Sequence, residues 1–293
     1  MSRLFRANKF EVNKPLSQLS TFGIGGPARF FIEVKKVDEL QLILKYCHAQ
    51  KLPFFVVGKG SNCLFDDRGF NGLVISNKIT FCNFEWPIIH VGSGYSFSLL
   101  GTQTARQGWS GLEFASGIPG SVGGAIYMNA GANGTETCES LIEVTFINEK
   151  AESEILRRDQ ITFSYRTSTF QTLKGVIVSA KFLLLPQESA RKTQLSIIDY
   201  RTRTQPYSDK SAGCVFRNPQ THSAGALIQL SGLKGKRIGG AEVSTVHANF
   251  IVNKGGATAQ EILELASLVK LTVKEKTGID LEMEIRSIPY SEV

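Results

Sequence analysis

The spacing of hydrophobic and polar positions predicts a β-α-β unit near the start of the chain. Residues 28–34 form a β-rich run, and residues 53–57 form a short apolar run that ends in a glycine turn. Between them, residues 38–50 carry apolar side chains at helical spacing, namely Leu40, Ile43, Leu44 and Cys47. Apolar positions that recur every three or four residues are typical of a helix that packs one face on a core. The two flanking runs are then short strands.

Short β-like runs separated by Gly, Asn and Ser loops dominate residues 72–185. These runs lie at 73–76, 88–91, 142–147 and 176–184. The spacing of residues 96–107 predicts one helix among them, and a glycine-dense loop follows it. This part of the chain is therefore predicted to be mainly β.

The sequence changes character at residues 186–192. Beyond this break we expect a polar, loop-rich segment at 200–218, a helix at 224–230, a glycine-rich basic turn at 234–240 and a strand at 250–253. A well-marked helix follows, because Thr258 and Glu261 are spaced as a capping box and Gly278 is suited to ending it. One face of this helix is apolar through Ile262, Leu265, Leu268, Val269 and Val273.

Residues 281–285 alternate apolar and charged side chains, which predicts a final strand. The mixture of β meanders and separate helices favours an α+β fold over a regular doubly wound sheet. At 293 residues with 42% hydrophobic side chains, the chain is long enough for two or three domains with a sizeable core. It has no apolar run near the ~20 residues of a membrane span and no apolar signal-peptide segment. We therefore expect a cytoplasmic protein without a membrane partner.

Cysteine and histidine spacing argues against a metal site. The cysteines, at 47, 63, 82, 138 and 214, include no Cys-x-x-Cys, and the histidines show no helical pairing. The net charge of +7 comes from scattered Lys and Arg, which favours an enzyme of anionic small molecules over nucleic-acid binding. A nucleotide- or RNA-binding module without chemistry is the alternative from another class, and it would be colourless.

Two glycine-rich segments are candidates for binding a nucleotide. Gly58-Lys59-Gly60-Ser61-Asn62 follows a predicted strand, but Cys63 stands where the dinucleotide fingerprint needs its third glycine. The second segment runs from Gly117 to Ala125 and continues as Asn129-Ala130-Gly131. Its glycines would let backbone N–H groups approach a pyrophosphate without interference from side chains. By composition alone, a pair of tight structural turns explains the second segment equally well.

Together the two segments resemble the FAD-binding domain of the vanillyl-alcohol-oxidase superfamily. From about Thr21 to Ile288 the chain resembles, more narrowly, the UDP-N-acetylenolpyruvoylglucosamine reductase family. The motifs that carry this second resemblance are Thr21-Phe22-Gly23-Ile24-Gly25-Gly26-Pro27-Ala28, Tyr165-Arg166-Thr167-Ser168, Ala212-Gly213-Cys214-Val215-Phe216-Arg217-Asn218-Pro219, Ile238-Gly239-Gly240-Ala241 and Glu282-Met283-Glu284-Ile285-Arg286. The short stretch between Phe170 and Val176 resembles the shorter family type, which lacks a tyrosine-bearing insertion.

The resemblance implies a vanillyl-alcohol-oxidase-type FAD-binding part at 1–186, with α+β subdomains at about 1–72 and 73–186. An α+β substrate domain would occupy 187–293, with its last strand returning to the active site. The implied reaction is NADPH-dependent, FAD-mediated reduction of the enolpyruvyl ether of UDP-N-acetylglucosamine to UDP-N-acetylmuramate in peptidoglycan synthesis. FAD would be held without a covalent bond by Gly58, Lys59, Gly60, Ser61, Asn62, Gly117, Ile118, Pro119, Gly120, Ser121, Gly123, Gly124, Ala125, Asn129 and Gly131.

The resemblance also assigns three catalytic residues. Arg166 would grip the substrate carboxylate as negative charge develops on it. Cys214 stands where the family more often has a serine proton donor, and an ordinary thiol is mainly protonated at neutral pH. Glu284 would be the third catalytic residue, although Glu282 lies two positions away on the same face and remains open.

For the UDP group we expect Arg203, Asn218, Lys234, Lys236 and His247, since cations suit a diphosphate. A satisfied structural histidine is an equally good interpretation of His247. Nothing in the sequence demands an oligomer, so we expect a monomer. The enzymatic alternative is another FAD oxidase or dehydrogenase of the same superfamily that acts on an alcohol or a sugar acid. Such an enzyme would not need the set of Arg166, Cys214 and Glu284.

Overall fold

The structure is a computed structural model, and it describes residues 10–290. Its contacts divide the chain into two compact units. We call them unit 1, formed by residues up to 31, 60–72 and from 202 onward, and unit 2, formed by 32–59 and 73–201. Each unit joins segments that are distant in sequence. The predicted ligand-binding domains, 1–186 and 187–293, follow other bounds and stay a prediction about function.

The described strands are numbered here in chain order. They are β1 (Glu11–Pro15), β2 (Pro27–Val34), β3 (Phe54–Val57), β4 (Cys63–Phe65), β5 (Phe70–Asn77), β6 (Cys82–Glu85), β7 (Ile88–Gly92), β8 (Trp109–Ser110), β9 (Gly131–Ala132), β10 (Thr135–Glu136), β11 (Leu141–Asn148), β12 (Ser153–Arg157), β13 (Phe163–Ser164), β14 (Thr167–Ser168), β15 (Gly175–Leu183), β16 (Leu185–Pro186), β17 (Arg237–Ile238), β18 (Ala241–Val243), β19 (Ile251–Asn253) and β20 (Arg286–Ile288).

The described α-helices are numbered in the same way. They are α1 (Val37–Gln50), α2 (Phe97–Arg106), α3 (Val122–Met128), α4 (Thr137–Ser140), α5 (Ala190–Thr204), α6 (Ala224–Leu230) and α7 (Ala259–Thr277). The helices predicted at 38–50, 96–107, 224–230 and after Thr258 are confirmed. Among residues 10–290, no helix combines the length and the apolar character needed to cross a membrane.

Unit 2 is built around an antiparallel sheet with the strand order β12-β11-β15-β7-β6. The central strand β15 is buried along most of its length because α3 packs against it and against β7. Apolar residues of α2 and α3 belong to the same core as the sheet, including Phe97, Leu100 and Ile126. Elsewhere in unit 2, β3 runs parallel to β5, and α1 buries the four apolar side chains predicted from its spacing.

Unit 1 contains the antiparallel sheet β17-β18-β19, on which α7 packs. The capping box predicted at Thr258 is present, and Gly278 ends α7 with a φ of 75°. Side chains of α7, such as Ile262 and Leu265, share their core with Val243 of β18. Strand β20 lies parallel to β4 and brings the C-terminal segment beside residues 63–65.

Two predictions about local structure are wrong. The segment predicted to be loop-rich begins inside a helix, because α5 continues to Thr204. The buried side of α5 consists of Ala190, Gln194 and Ile197, and a polar residue in the middle hides the helical pattern. The strand predicted at 281–285 is limited to one isolated bridge, between Met283 and Phe216, and the regular strand β20 begins only at Arg286.

Candidate active site

In unit 2 the first residue of one glycine segment, Gly58, meets the other segment. A Cβ atom on Gly58 would collide with the Oγ of Ser121, so only glycine leaves room for this approach. A Cβ atom on Gly117 would likewise collide with the side chain of Arg201, in the last part of α5. The structure therefore packs Gly58 against the segment 117–125 and sets a guanidinium beside Gly117.

Lys59, the residue after Gly58, adds a positively charged side chain. Its Nζ donates to the Oγ of Ser96 at 2.7 Å, and Ser96 also caps the start of α2. Burial, together with the positive charge of Lys78, lowers the pKa of Lys59. Cations held close together in this way are stabilised by an anion. The absence of a Cβ atom at Gly58 and Gly117 lets Ser121 and Arg201 approach closely. Glycine-rich backbone with ammonium and guanidinium groups beside it suits the pyrophosphate of FAD.

The glycine loop itself is fixed by its backbone. Gly123 donates to the carbonyl of Ser93 at 2.8 Å, and Val122 donates to the carbonyl of Tyr95 at 2.9 Å. Ser121 caps α3, since its hydroxyl accepts from the N–H of Gly124 at 3.3 Å. These bonds fix the backbone of the loop within unit 2.

The remaining residues of the first glycine segment, Gly60, Ser61 and Asn62, lie in unit 1. The carbonyl of Gly60 accepts from the N–H of Thr21 at 3.3 Å. The side chain of Asn62 donates to the carbonyl of Glu284 at 3.2 Å. Asn62 thus holds the main chain at the glutamate predicted to be catalytic.

Asn129 is completely buried, and its side chain is used inside unit 2. Its amide donates to the carboxylate of Glu136 at 2.7 Å and to the carbonyl of Ser164 at 3.0 Å. The side-chain oxygen of Asn129 accepts from the N–H of Cys138 at 3.2 Å. This side chain therefore joins the second glycine segment to the β13–β14 hairpin, and its assignment to the cofactor stays a prediction.

Arg166 occupies the turn of the β13–β14 hairpin, in a left-handed conformation with a φ of 56°. Its Nη2 donates to the carbonyl of Gly131 at 2.9 Å, and its Nη1 lies 4.0 Å from the Oε1 of Glu136. The guanidinium also lies 4.7 Å above the ring of Tyr165. Gln171 fixes the backbone by donating to the carbonyl of Arg166 at 3.0 Å. The direction of this side chain is therefore set by several neighbours.

In unit 1 the segment that follows Cys214 is clamped by Asn249. This buried amide accepts from the N–H of Phe216 at 3.0 Å and donates to the carbonyl of Phe216 at 2.8 Å. The N–H of Val215 donates to the carbonyl of Asn249 at 2.8 Å. Such complete pairing leaves the backbone beside Cys214 little freedom to move.

Glu284 lies next to this segment, since its N–H donates to the carbonyl of Val215 at 2.7 Å. Cys214 and Glu284, assigned from motifs far apart in sequence, therefore sit on paired backbone segments. The neighbouring carboxylate of Glu282 is 77% exposed and lies 3.6 Å from Arg217. Glu284 is half-buried whereas Glu282 is exposed, and the choice between them as the catalytic residue stays a prediction.

The residues predicted for the UDP group also lie in unit 1. Asn218 accepts from the N–H of Ala224 and so supports the start of α6, and Lys234 reaches the carbonyl of Val246 at 3.5 Å. The Nδ1 of His247 accepts from the N–H of Asn249, and its ring packs on Phe250. Arg203 and Lys236 belong to the last turn of α5 and to the turn before β17. Their assignment to UDP stays a prediction.

Sequence reasoning missed three residues that the structure brings to these places. Arg201 was missed because helix α5 was not predicted. Glu136 was missed although Asn133-Gly134 is a hairpin-turn signal, because the strands on either side of that turn have only two residues each. Asn249 was missed because nothing in the sequence marks a clamp whose partners lie 33 positions away.

The other cysteines show no catalytic arrangement. Cys47 is buried, and its burial raises the pKa of the thiol to about 12. Burial also raises the pKa of Cys82, to about 11. None of the five cysteines forms a disulfide bond. Within residues 10–290, no three His, Cys, Asp or Glu side chains are arranged to hold a metal ion.

Comparison with known proteins identifies both parts of the chain. Residues 28–157 match a family described as FAD binding domain. Residues 205–288 match one described as UDP-N-acetylenolpyruvoylglucosamine reductase, C-terminal domain. The predicted α+β fold with an FAD-binding domain is confirmed.

Similar proteins cover nearly the whole chain. A UDP-N-acetylenolpyruvoylglucosamine reductase of Protochlamydia amoebophila is 59% identical over 284 residues, covering 97% of this chain and 95% of that protein. One from Chlamydia trachomatis serovar A is 50% identical over 277 residues, covering 94% of this chain and 95% of that protein. The crystal structure of the reductase from Thermus caldophilus, 35% identical, covers 96% of this chain and 100% of that chain with a TM-score of 0.83. The chain therefore belongs to the UDP-N-acetylenolpyruvoylglucosamine reductase family of FAD-dependent oxidoreductases.

Proposed function

We propose that this protein reduces the enolpyruvyl ether of UDP-N-acetylglucosamine to UDP-N-acetylmuramate, with NADPH as hydride donor, as a step of peptidoglycan synthesis. The observation that carries the proposal is the 59% identity to a named reductase over 97% of the chain. The basic net charge of +7 is consistent with two substrates that both carry phosphates.

When bound, FAD would supply the hydride transfer from NADPH to the enolpyruvyl double bond. We assign its pyrophosphate to the place where Gly58 meets the segment 117–125, beside Lys59. Because the glycines there have no side chains, their backbone N–H groups stay accessible to the pyrophosphate. The ammonium group of Lys59 offsets the negative charge of the pyrophosphate. Arg201 is a further cation at this place, because its side chain covers Gly117.

Arg166 stabilises the substrate carboxylate in this proposal. When hydride reaches the vinyl carbon distal to that carboxylate, negative charge spreads onto the carboxylate oxygens. A guanidinium held in advance by Gly131 and Tyr165 need not reorganise as the charge develops. Preorganised donors of this kind typically contribute a factor of about 100 to 1,000 in turnover.

Cys214 gives a proton to the carbon next to the substrate carboxylate. Its thiol replaces the more common serine hydroxyl, and an ordinary thiol is the stronger acid of the two. Pairing of Val215 and Phe216 with Asn249 keeps the backbone beside the thiol in place. A fixed donor is what general acid catalysis requires, since the proton must be delivered to one defined carbon.

Glu284 assists the enolic intermediate or orients the acid. Its backbone is bonded to Val215 and to Asn62, so its position relative to Cys214 is determined within unit 1. The carboxylate of Glu282 is mostly exposed and faces Arg217. This contrast favours Glu284 over Glu282 for the role.

Substrate recognition falls to cations and amides of residues 187–293 in this proposal. The diphosphate would contact Arg203, Asn218, Lys234, Lys236 and His247. Cationic side chains and amide donors are the usual partners of phosphate oxygens. Asn218, Lys234 and His247 already make structural contacts, with α6, Val246 and Asn249 respectively, so substitutions there would also affect stability.

The test uses the colour of the purified protein. Flavin absorbance should be present, NADPH should bleach it, and UDP-N-acetylglucosamine enolpyruvate should restore it. A colourless protein would contradict every flavoenzyme interpretation and favour a binding module. A flavin that is indifferent to the enolpyruvyl compound but is reduced by an alcohol or a sugar acid would instead indicate another oxidase of the superfamily.

A further inference from the structure

We propose that Glu136 is a positioning residue, which holds the guanidinium of Arg166 in the direction needed to bind the substrate carboxylate. The inference rests on the role proposed for Arg166. Both residues belong to unit 2, and each carboxylate oxygen of Glu136 has a protein neighbour. Glu136 is 28% exposed and Arg166 is 18% exposed at the side chain.

The two oxygens of Glu136 have different neighbours. Oε2 accepts from the Nδ2 of Asn129 at 2.7 Å, and Oε1 lies 4.0 Å from the Nη1 of Arg166. Asn129 is itself completely buried and bonded to the hairpin that carries Arg166. The carboxylate is thus held from behind by a rigid amide while it faces the guanidinium.

The β9–β10 hairpin, which carries Glu136, also places the carbonyl of Gly131 against the guanidinium of Arg166. Glu136 pairs directly with Gly131 across the β9–β10 ladder, and the carbonyl of Gly131 accepts from the Nη2 of Arg166 at 2.9 Å. The hairpin therefore presents a carbonyl and a carboxylate to neighbouring nitrogens of one planar fork. One hydrogen bond alone would leave that plane free to rotate, and the ion pair with Glu136 at 4.0 Å adds an attraction that favours one orientation.

The negative charge of Glu136 is the property that orients the guanidinium of Arg166 in this proposal. A glutamine could still accept from Asn129 with its oxygen, but its NH₂ group would then face Nη1, and two donors repel each other. Loss of orientation by about 1 Å can reduce turnover by about 100-fold. We expect Glu136→Gln to slow substrate reduction by about 10- to 100-fold and to leave the reduction of bound FAD by NADPH unchanged.

Glu136 also has a structural role that the experiment must separate. It caps α4 in a reciprocal pair with Glu139, whose carboxylate accepts from the N–H of Glu136 at 2.7 Å. Glu139→Gln removes a charge from the same capping pair, and among residues 10–290 the ion-pair partner of Arg166 is Glu136, not Glu139. It is the matched control, expected to keep turnover within about twofold of the parent.

The experiment is a double-mutant cycle measured on the flavin-loaded protein. Glu136→Gln, Glu136→Asp and Glu139→Gln are made in the parent and in Arg166→Lys, and stopped-flow absorbance follows flavin reduction and reoxidation separately. If Glu136 acts through Arg166, the factor lost with Glu136→Gln shrinks to less than about threefold in the Arg166→Lys background. Glu136→Asp keeps the charge and the capping oxygen, so it should recover part of the lost rate.

Four results would overturn the inference, and they differ in whether they also contradict the role of Arg166. Normal reoxidation by Glu136→Gln, or the same loss in both backgrounds, refutes the positioning role alone if Arg166→Lys is slow. Normal reoxidation by Arg166→Lys refutes the role of Arg166 and the inference with it. Equal losses in Glu136→Gln and Glu139→Gln, with a lower unfolding temperature, identify a merely structural effect on α4.

Discussion

At the residue scale, the conformation of Arg166 is unusual. A positive φ costs a residue with a side chain roughly 1–2 kcal/mol, and in a tight turn such a position is normally filled by glycine or asparagine. Arg166 nevertheless adopts it, with a φ of 56°, and Gln171 holds its carbonyl. Strain that the surroundings enforce is common at functional sites. The backbone thus supports the assignment that the motif had suggested.

Cys214 gives a prediction about the proton donor. Cys214→Ser should retain much of the activity, because a hydroxyl can also deliver the proton. Cys214→Ala should allow NADPH to reduce the flavin but should slow reoxidation by the enolpyruvyl substrate by about 100- to 10,000-fold. Stopped-flow absorbance separates the two half-reactions. Full turnover by the alanine variant would remove Cys214 from the mechanism.

The two neighbouring glutamates give a second prediction. Glu284→Gln should reduce turnover by about 100-fold or more, as expected when an acid–base group is lost. Glu282→Gln should change it by less than about threefold, because that carboxylate is 77% exposed and solvent screens its ion pair with Arg217. Steady-state rates of both variants at saturating substrate decide the matter. A larger loss in Glu282→Gln would reverse the assignment.

At the element scale, local chemistry decides where the helices begin and end. Helix α7 starts at a reciprocal capping box and ends at a glycine with a positive φ, so its bounds were readable from the sequence. Helix α5 lacks such signals, and its buried side includes Gln194. Tertiary packing therefore stabilises α5 where local preference does not. The same helix delivers Arg201 to Gly117, so missing the helix meant missing the cation.

The cap of α7 gives a prediction about stability. In Thr258→Ala the N–H of Glu261 loses its hydrogen bond, so the free energy of unfolding should fall by about 0.5–2 kcal/mol. Thr272→Ala, inside the same helix, is the control and should be neutral or slightly stabilising, since alanine favours a helix interior. Urea unfolding followed by circular dichroism measures both. Equal losses in the two variants would show that the cap is not the cause.

At the scale of the whole molecule, each unit is assembled from segments that are far apart in the chain. In unit 1, the N–H of Asp66 donates to the carbonyl of Ile288, and its own carbonyl accepts from Gly26. Its carboxylate accepts from the side chain of Arg68 at 2.9 and 3.0 Å and from the N–H of Tyr290 at 3.3 Å. Asp66 therefore connects three separate segments of unit 1.

These contacts predict how stability depends on pH. The hydrogen bonds from Arg68, followed by those from backbone N–H groups, lower the pKa of Asp66 to about 2 from an ordinary value of 3.8. Its contribution is therefore complete above about pH 4 to 5 and is lost as the pH falls toward 2. Asp66→Asn and Arg68→Gln should both flatten the fall in urea midpoint between pH 7 and pH 3. An unchanged fall in both variants would contradict this role.

The sequence by itself determined the elements with strong local signals, the glycine segments and the motifs that carry the family resemblance. It could do so because capping, helical spacing and glycine turns act over a few neighbouring residues. Only the tertiary structure decided that Gly58 meets Ser121, that Asn249 clamps the backbone beside Cys214, and that Glu136 faces Arg166. Those contacts depend on how segments that are distant in sequence pack together, and the periodicity of the sequence does not indicate that packing. The candidate catalytic residues were thus readable from the sequence, whereas the neighbours that hold them in place were not.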